Sequence, residues 1–133
     1  MAKWILCMFA FLMTGCMTNH LLIKDSRDYR GDYQAVARSI HDVAKTCWKQ
    51  QETVLRPQIL VENVVTLDSI MVSARFDSFG SGVLNPFIRF VIKPDGNSNA
   101  KIDLYYQEIE WRGKERHLKD AYNWMSGNYV CSH

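Results

Sequence analysis

The spacing of apolar residues changes character along this chain, and that change limits the folds open to it. From Tyr33 the apolar positions are Tyr33, Val36, Ala37, Ile40, Val43, Ala44, Cys47 and Trp48. Steps of three and four place them on one stripe of a helix. Arg38, Asp42, Lys45 and Lys49 fall off that stripe, and Asp42 is spaced to pair with Lys45 across one turn. Gly31-Asp32 supplies the helix start, with Asp32 as N-cap. Beyond Pro57 the step shortens to two. Residues 59–67 are rich in Val and Leu and read as a strand. In residues 70–77, Ile70, Val72, Ala74 and Phe76 alternate with Met71, Ser73, Arg75 and Asp77, the pattern of a half-buried strand. Residues 87–93 and 101–111 give two further strands. Asp68-Ser69, the loop 78–82 with its two glycines, and Pro94-Asp95-Gly96-Asn97 mark the turns between them. Arg112-Gly113 breaks the last strand. Leu118, Ala121, Tyr122 and Met125 then restore helical spacing over residues 114–125, and Gly127 suits the position just past the end.

The expected order is helix, four strands, helix. Consecutive strands joined by turns make an antiparallel meander. Its apolar face needs a cover, and the two amphipathic helices supply one. The expectation is therefore a two-layer α+β domain with an N-terminal helix, a four-stranded meander and a C-terminal helix, occupying residues 32–133. A chain of 133 residues leaves room for one such domain.

The first sixteen residues follow a different pattern. Lys3 is their only charge, and residues 4–13 form an unbroken apolar run of ten. A bilayer-spanning helix needs about 20, so the run reads as the apolar region of a secretory signal. Leu12-Met13-Thr14-Gly15-Cys16 resembles the lipobox of bacterial lipoproteins. The resemblance implies cleavage before Cys16, a diacylglyceryl group on its thiol and an acyl chain of the palmitate class on its amine. Residues 1–15 are then a removed signal, and 16–31 a lipidated N-terminus and tether. In the enteric members of that class, Asp after the lipidated cysteine retains the protein in the inner membrane. Met17 stands there in this chain, so the resemblance implies the outer membrane, facing the periplasm. Each buried CH2 contributes about 0.8 kcal/mol, so two or three acyl chains hold where one is marginal.

Processing also sorts the cysteines. Cys7 leaves with the signal and Cys16 takes the lipid, which leaves Cys47 and Cys131. An even pair in an oxidising compartment reads as a disulfide.

The residues give little sign of chemistry. Ser81 lacks the spacing of a nucleophile elbow. His20 falls in the tether, His41 beside the first helical stripe, and His117 in the charged run Lys114-Glu115-Arg116-His117, which reads as a solvated helix face. Glu108 and Glu110 share a face if the last strand runs through them, and read as a charged edge. Trp48 reads as core. No metal or cofactor is expected, and a net charge of +2 gives no reason to expect nucleic acid as a partner. Arg75, Arg89 and Lys93 project from solvent faces, and with Phe87, Tyr105 and Trp111 they would form a mixed basic and aromatic binding surface. The functional reading is a non-enzymatic envelope lipoprotein. It would be held to the bilayer through Cys16 and act as an adaptor or assembly factor for another envelope protein. The alternative is a periplasmic immunity protein or inhibitor of a toxin or hydrolase.

The anchor yields a direct prediction. Cys16→Ser should release the protein from membranes and abolish incorporation of labelled fatty acid; tight membrane retention of that variant would refute the lipobox reading.

Overall fold

The computed structural model describes residues 21–49, 58–77 and 85–132. The expected signal, Cys16 and His20 lie outside the described residues, as do Pro57, the loop 78–82 and His133. The fold is α+β, a five-stranded antiparallel sheet with two helices. Its elements are β1 (Leu22–Arg30), α1 (Tyr33–Cys47), β2 (Gln58–Val65), β3 (Ile70–Asp77), β4 (Ile88–Asp95), β5 (Asn99–Tyr106) and α2 (Lys114–Met125). The sheet order is β1-β5-β4-β3-β2.

Strands β2 to β5 form the expected meander. The fifth strand, β1, occupies residues read from the sequence as tether, so α1 is the second element rather than the first. The miss has a physical cause. Among the described residues β1 lies at a sheet edge and pairs only with β5. Charged side chains are what keep such an edge from pairing with other chains, and Lys24, Asp25, Arg27, Asp28 and Arg30 remove the apolar alternation that identifies a strand.

Antiparallel pairing throughout makes β1 and β2 parallel to each other at opposite edges. Parallel strands cannot be joined by a tight turn, and α1 makes the crossover. Asp32 caps it as expected, its Oδ2 accepting from the Ala35 amide at 3.1 Å. Val36, Ala37, Ile40, Ala44 and Trp48 are buried, with Tyr33, Val43 and Cys47 packed against the core. The stripe read from the sequence therefore faces the sheet. Asp42 lies 3.4 Å from His41 rather than pairing with Lys45.

The opposing sheet surface is Ile70, Val72 and Ala74 of β3, Ile88, Phe90 and Ile92 of β4, and Ala100, Ile102 and Leu104 of β5, all buried. β5 ends at Tyr106, five residues before the expected end. Alternation beyond that point is void, so Glu108 and Glu110 do not share a strand face. Instead, Lys24 Nζ sits 2.6 Å from Glu108, and Lys114 Nζ 3.5 Å from Glu110.

α2 lies on the same side of the sheet as α1, with Trp124 packed on Trp48 and Phe90. Gly127 follows the helix with φ +85°, and its amide donates to the Trp124 carbonyl. That left-handed residue closes the helix as expected. A Cβ there would also come within 2.8 Å of the Tyr29 hydroxyl. The buried positions of α2 are His117, Asp120, Ala121, Trp124 and Met125, while Leu118 and Tyr122 are half-buried. The buried stripe is thus rotated from the expected one and includes two ionisable groups.

Cys47 at the end of α1 and Cys131 in the tail form the expected disulfide, closing a separation of 84 residues. A loop of that size restricts the unfolded chain by about 4–5 kcal/mol in the chain-entropy treatment. Cys47→Ser/Cys131→Ser should lower the urea midpoint and raise the slope, because the unfolded chain is no longer held in a loop; an unshifted midpoint would show that the bridge does not stabilise the fold.

Candidate docking surfaces

The side chains singled out from the sequence divide between the two faces of the sheet. Residues paired directly across antiparallel strands share a face. The register therefore aligns Ile23, Tyr105, Arg89, Ser73 and Glu62 across all five strands, on the face opposite the helices. Arg89 Nε donates to Ser73 Oγ at 2.9 Å, and Arg75 Nη2 to Glu62 Oε1 at 2.9 Å. Arg75, Arg89 and Tyr105 thus belong to one surface, and all three are half-buried. The next row carries Ser26, Asp103, Val91, Met71 and Val64, with Ser26 Oγ donating to Asp103 at 2.6 Å.

Phe87 and Trp111 do not join them. Phe87 is 2% exposed and belongs to the core. It precedes β4 and breaks the alternation, so Phe87 and Ile88 are both buried. Its amide donates to the Ala74 carbonyl, and its own carbonyl accepts from the Gln107 amide. The ring lies 4.6 Å from Phe76, 5.2 Å from Trp111 and 5.2 Å from His117. Trp111 follows the end of β5 and packs against the same core. The five-residue binding surface is therefore corrected to three residues on the open face and two in the aromatic packing beneath the helices.

His117 is likewise corrected. It is 1% exposed, not solvated. Trp111 Nε1 donates to its Nδ1 at 3.0 Å, which leaves the ring proton on Nε2. Nε2 has no hydrogen-bond partner among the described residues, and the ring packs against Phe87 and, edge-on at 5.1 Å, against Trp48. Burial, together with Arg116, lowers its pKa to about 4 against a partial opposing pull from Asp120. This is a neutral core histidine and not a proton donor waiting in a cleft. Asp120 is equally buried, its Oδ2 accepting from Trp48 Nε1 at 3.0 Å and its Oδ1 from the Ser132 amide at 2.7 Å. Among the described residues no three His, Cys, Asp or Glu side chains converge as a metal set, and no helix is long and apolar enough to cross a membrane.

Apart from the single exposed Val130 in the tail, the exposed large apolar side chains among the described residues fall into two groups at opposite ends of the sheet. The first is the β2–β3 hairpin tip. Leu67 has a relative exposure of 105%, and Val64 and Val65 stand in water beside it. The tip is held in shape by the expected turn: the Thr66 amide donates to the Ser69 carbonyl at 2.8 Å, and the Ser69 amide to Thr66 Oγ1 at 3.2 Å. In the sequence, Leu67 reads as the end of a strand. The available signal was an apolar residue directly before Asp68-Ser69, at a turn apex where polar residues are the rule. The second feature is the other end of the sheet, where Leu22, Ile23 and Ile109 are exposed. An open cleft of about 510 Å³ lies beside it, lined in part by Trp111, Lys114, Arg116 and Lys119.

No protein-family model, curated protein or solved structure matches this chain.

The buried histidine makes stability depend on pH with a defined sign. Its folded pKa of about 4 lies below the unfolded value of about 6.5. The unfolded chain therefore takes up the proton first as pH falls. The stability is fully present above about pH 6.5 and is lost progressively down to about pH 4. Between pH 7 and pH 5 the loss should be about 2 kcal/mol. His117→Phe should remove most of that difference in urea titrations at the two pH values; equal losses in both proteins would show that another group carries it.

Proposed function

We propose that this protein is a non-enzymatic, lipid-anchored adaptor of the cell envelope, held by acylated Cys16 in the outer membrane on its periplasmic side. Its described domain would dock another envelope protein. The observation that carries the docking reading is the hairpin tip. Leu67 is held fully in water by a hydrogen-bonded turn, with Val64 and Val65 next to it. An apolar side chain in that position contributes nothing to the core, whereas burying it against a partner would yield about 1.5–3 kcal/mol. The β2 edge adds main-chain groups that pair with no other strand among the described residues, the arrangement that strand addition uses. The anchor reading is supported by the sequence at residues 12–16 alone.

The test is site-specific photo-crosslinking in intact envelopes, with the reactive group at position 67 and, as control, at Gln34 on the exposed side of α1. Position 67 should give a discrete adduct that Val65→Lys abolishes without altering thermal stability. The same adducts from both positions, or none from position 67, would refute docking through the tip.

A further inference from the structure

We infer that the end of the sheet opposite the hairpin tip is a membrane-facing surface that seats on anionic phospholipid headgroups. The inference rests on the lipid-anchor reading and gives that anchor an orientation.

The register defines the two ends. Leu22 pairs with Tyr106, Tyr106 with Ile88 and Ile88 with Ala74, so these residues lie towards one end. Arg30 pairs with Asn99, Asn99 with Asp95 and Ile70 with Val65, towards the other, where the hairpin tip also lies. Strands of eight residues at about 3.3 Å per residue separate the ends by about 25 Å. The chain enters at the Leu22 end. Five residues separate Cys16 from Leu22, and even fully extended they reach only about 20 Å. An anchored Cys16 therefore keeps the Leu22 end within about 20 Å of the bilayer, while the tip stands about 25 Å further along the sheet.

The composition of that end suits the position. Leu22, Ile23 and Ile109 are exposed apolar side chains with no described residue covering them. The Lys24–Glu108 ion pair brings the segment carrying Ile109 to the start of β1. Arg112, Arg116 and Lys119 are exposed and form no ion pair with any described carboxylate. Two of the three exposed acids in the same stretch, Glu108 and Glu110, are neutralised by Lys24 and Lys114, leaving Glu115. Trp111 is half-buried, with Lys114 Nζ 5.0 Å from its ring. Apolar side chains ringed by cations are the composition of interfacial membrane contacts. At the far end Asp32, Asp68 and Asp95 are offset by the exposed Arg30, Lys93 and Lys101, so among the described residues that end has no comparable cationic excess.

The experiment uses the full acylated chain in vesicles of phosphatidylcholine, alone or mixed with phosphatidylglycerol. A spin label is placed at Ile109→Cys or, as reference, at Leu67→Cys. With phosphatidylglycerol present, the label at 109 should be shielded from a water-soluble nickel chelate and reached by oxygen dissolved in lipid, while the label at 67 stays in water. High salt should weaken the contact. Arg112→Glu/Arg116→Glu/Lys119→Glu should lower the docked-to-free ratio at least about 100-fold, at about fivefold for each cation removed. Mass analysis of Cys16 and co-sedimentation are read on the same samples. Acylated, co-sedimenting protein whose label at 109 is as exposed as that at 67 overturns the docking surface and leaves the anchor standing. Protein without acyl chains overturns the anchor, and the orientation with it. Should the triple variant not fold, the comparison of labels 109 and 67 still decides.

Discussion

The carboxylate of Asp120 is the interaction on which the helical layer depends. It is 1% exposed, so its hydration has to be replaced by donors within the protein. One is the indole of Trp48 at the end of α1, and the other is the amide of Ser132 in the tail. A single side chain of α2 thereby ties together the other helix and the chain end. The Cys47–Cys131 bond closes the same junction covalently, one residue away from each donor. With its indole nitrogen fixed, the ring of Trp48 packs against Trp124 at 4.7 Å, His117 at 5.1 Å, Phe87 at 6.2 Å and Phe90 at 6.5 Å. Sheet and helices meet through that ring. Removing either donor would leave one buried oxygen of Asp120 without its hydrogen bond, which costs about 1–3 kcal/mol.

The same junction explains which parts of the fold could be read from the residues. α1 was legible because every one of its stripe positions serves packing, and its cap is local in sequence. The turns at Asp68-Ser69 and Pro94-Asp95-Gly96-Asn97 were legible for the same reason, as was the disulfide, once compartment and cysteine parity were considered. α2 was only half legible. His117 and Asp120 look like solvent-facing residues in a charged run, yet their partners, Trp111, Trp48 and Ser132, come from elsewhere in the chain. No pattern within a helix reveals a polar group whose partner is 72 residues away. β1 failed for the opposite reason. It has little packing to advertise, since its stability comes from main-chain pairing with β5 and from contacts such as Arg27 over the Tyr122 ring at 5.2 Å.

The surface was legible in proportion to the regularity of the strands. Arg75 and Arg89 sit inside β3 and β4, and Tyr105 inside β5, so alternation assigned their face correctly. Phe87 stands one residue before a strand and Trp111 five residues after one, where alternation carries no information. Both are large aromatics, for which burial is worth more than exposure. The hairpin tip shows the reverse case. Leu67 reads as strand because it is apolar, while the turn beside it pushes it into water.

The topology would have a mechanical consequence if the domain is held at one end and engaged at the other, as proposed. β1 and β2 run parallel at opposite edges, so the chain enters the sheet at one end and the exposed tip follows β2 at the other. A load applied between residue 21 and residue 67 runs along the strands. The hydrogen bonds between antiparallel strands lie across them. The ladders between β1 and β3 are then loaded in shear, all their bonds together, rather than unzipped one bond at a time. The edge strand that takes the load first, β1, pairs with β5 over eight positions, from Leu22 opposite Tyr106 to Arg30 opposite Asn99. A strand with a weak apolar signature is thus the one through which an anchor's pull would enter the domain. Its irregularity in register falls between Ile23 and Asp25, at the loaded end. There Lys24 stands free of the ladder's register and pairs with Glu108 instead, which ties the start of β1 to the segment leading into α2.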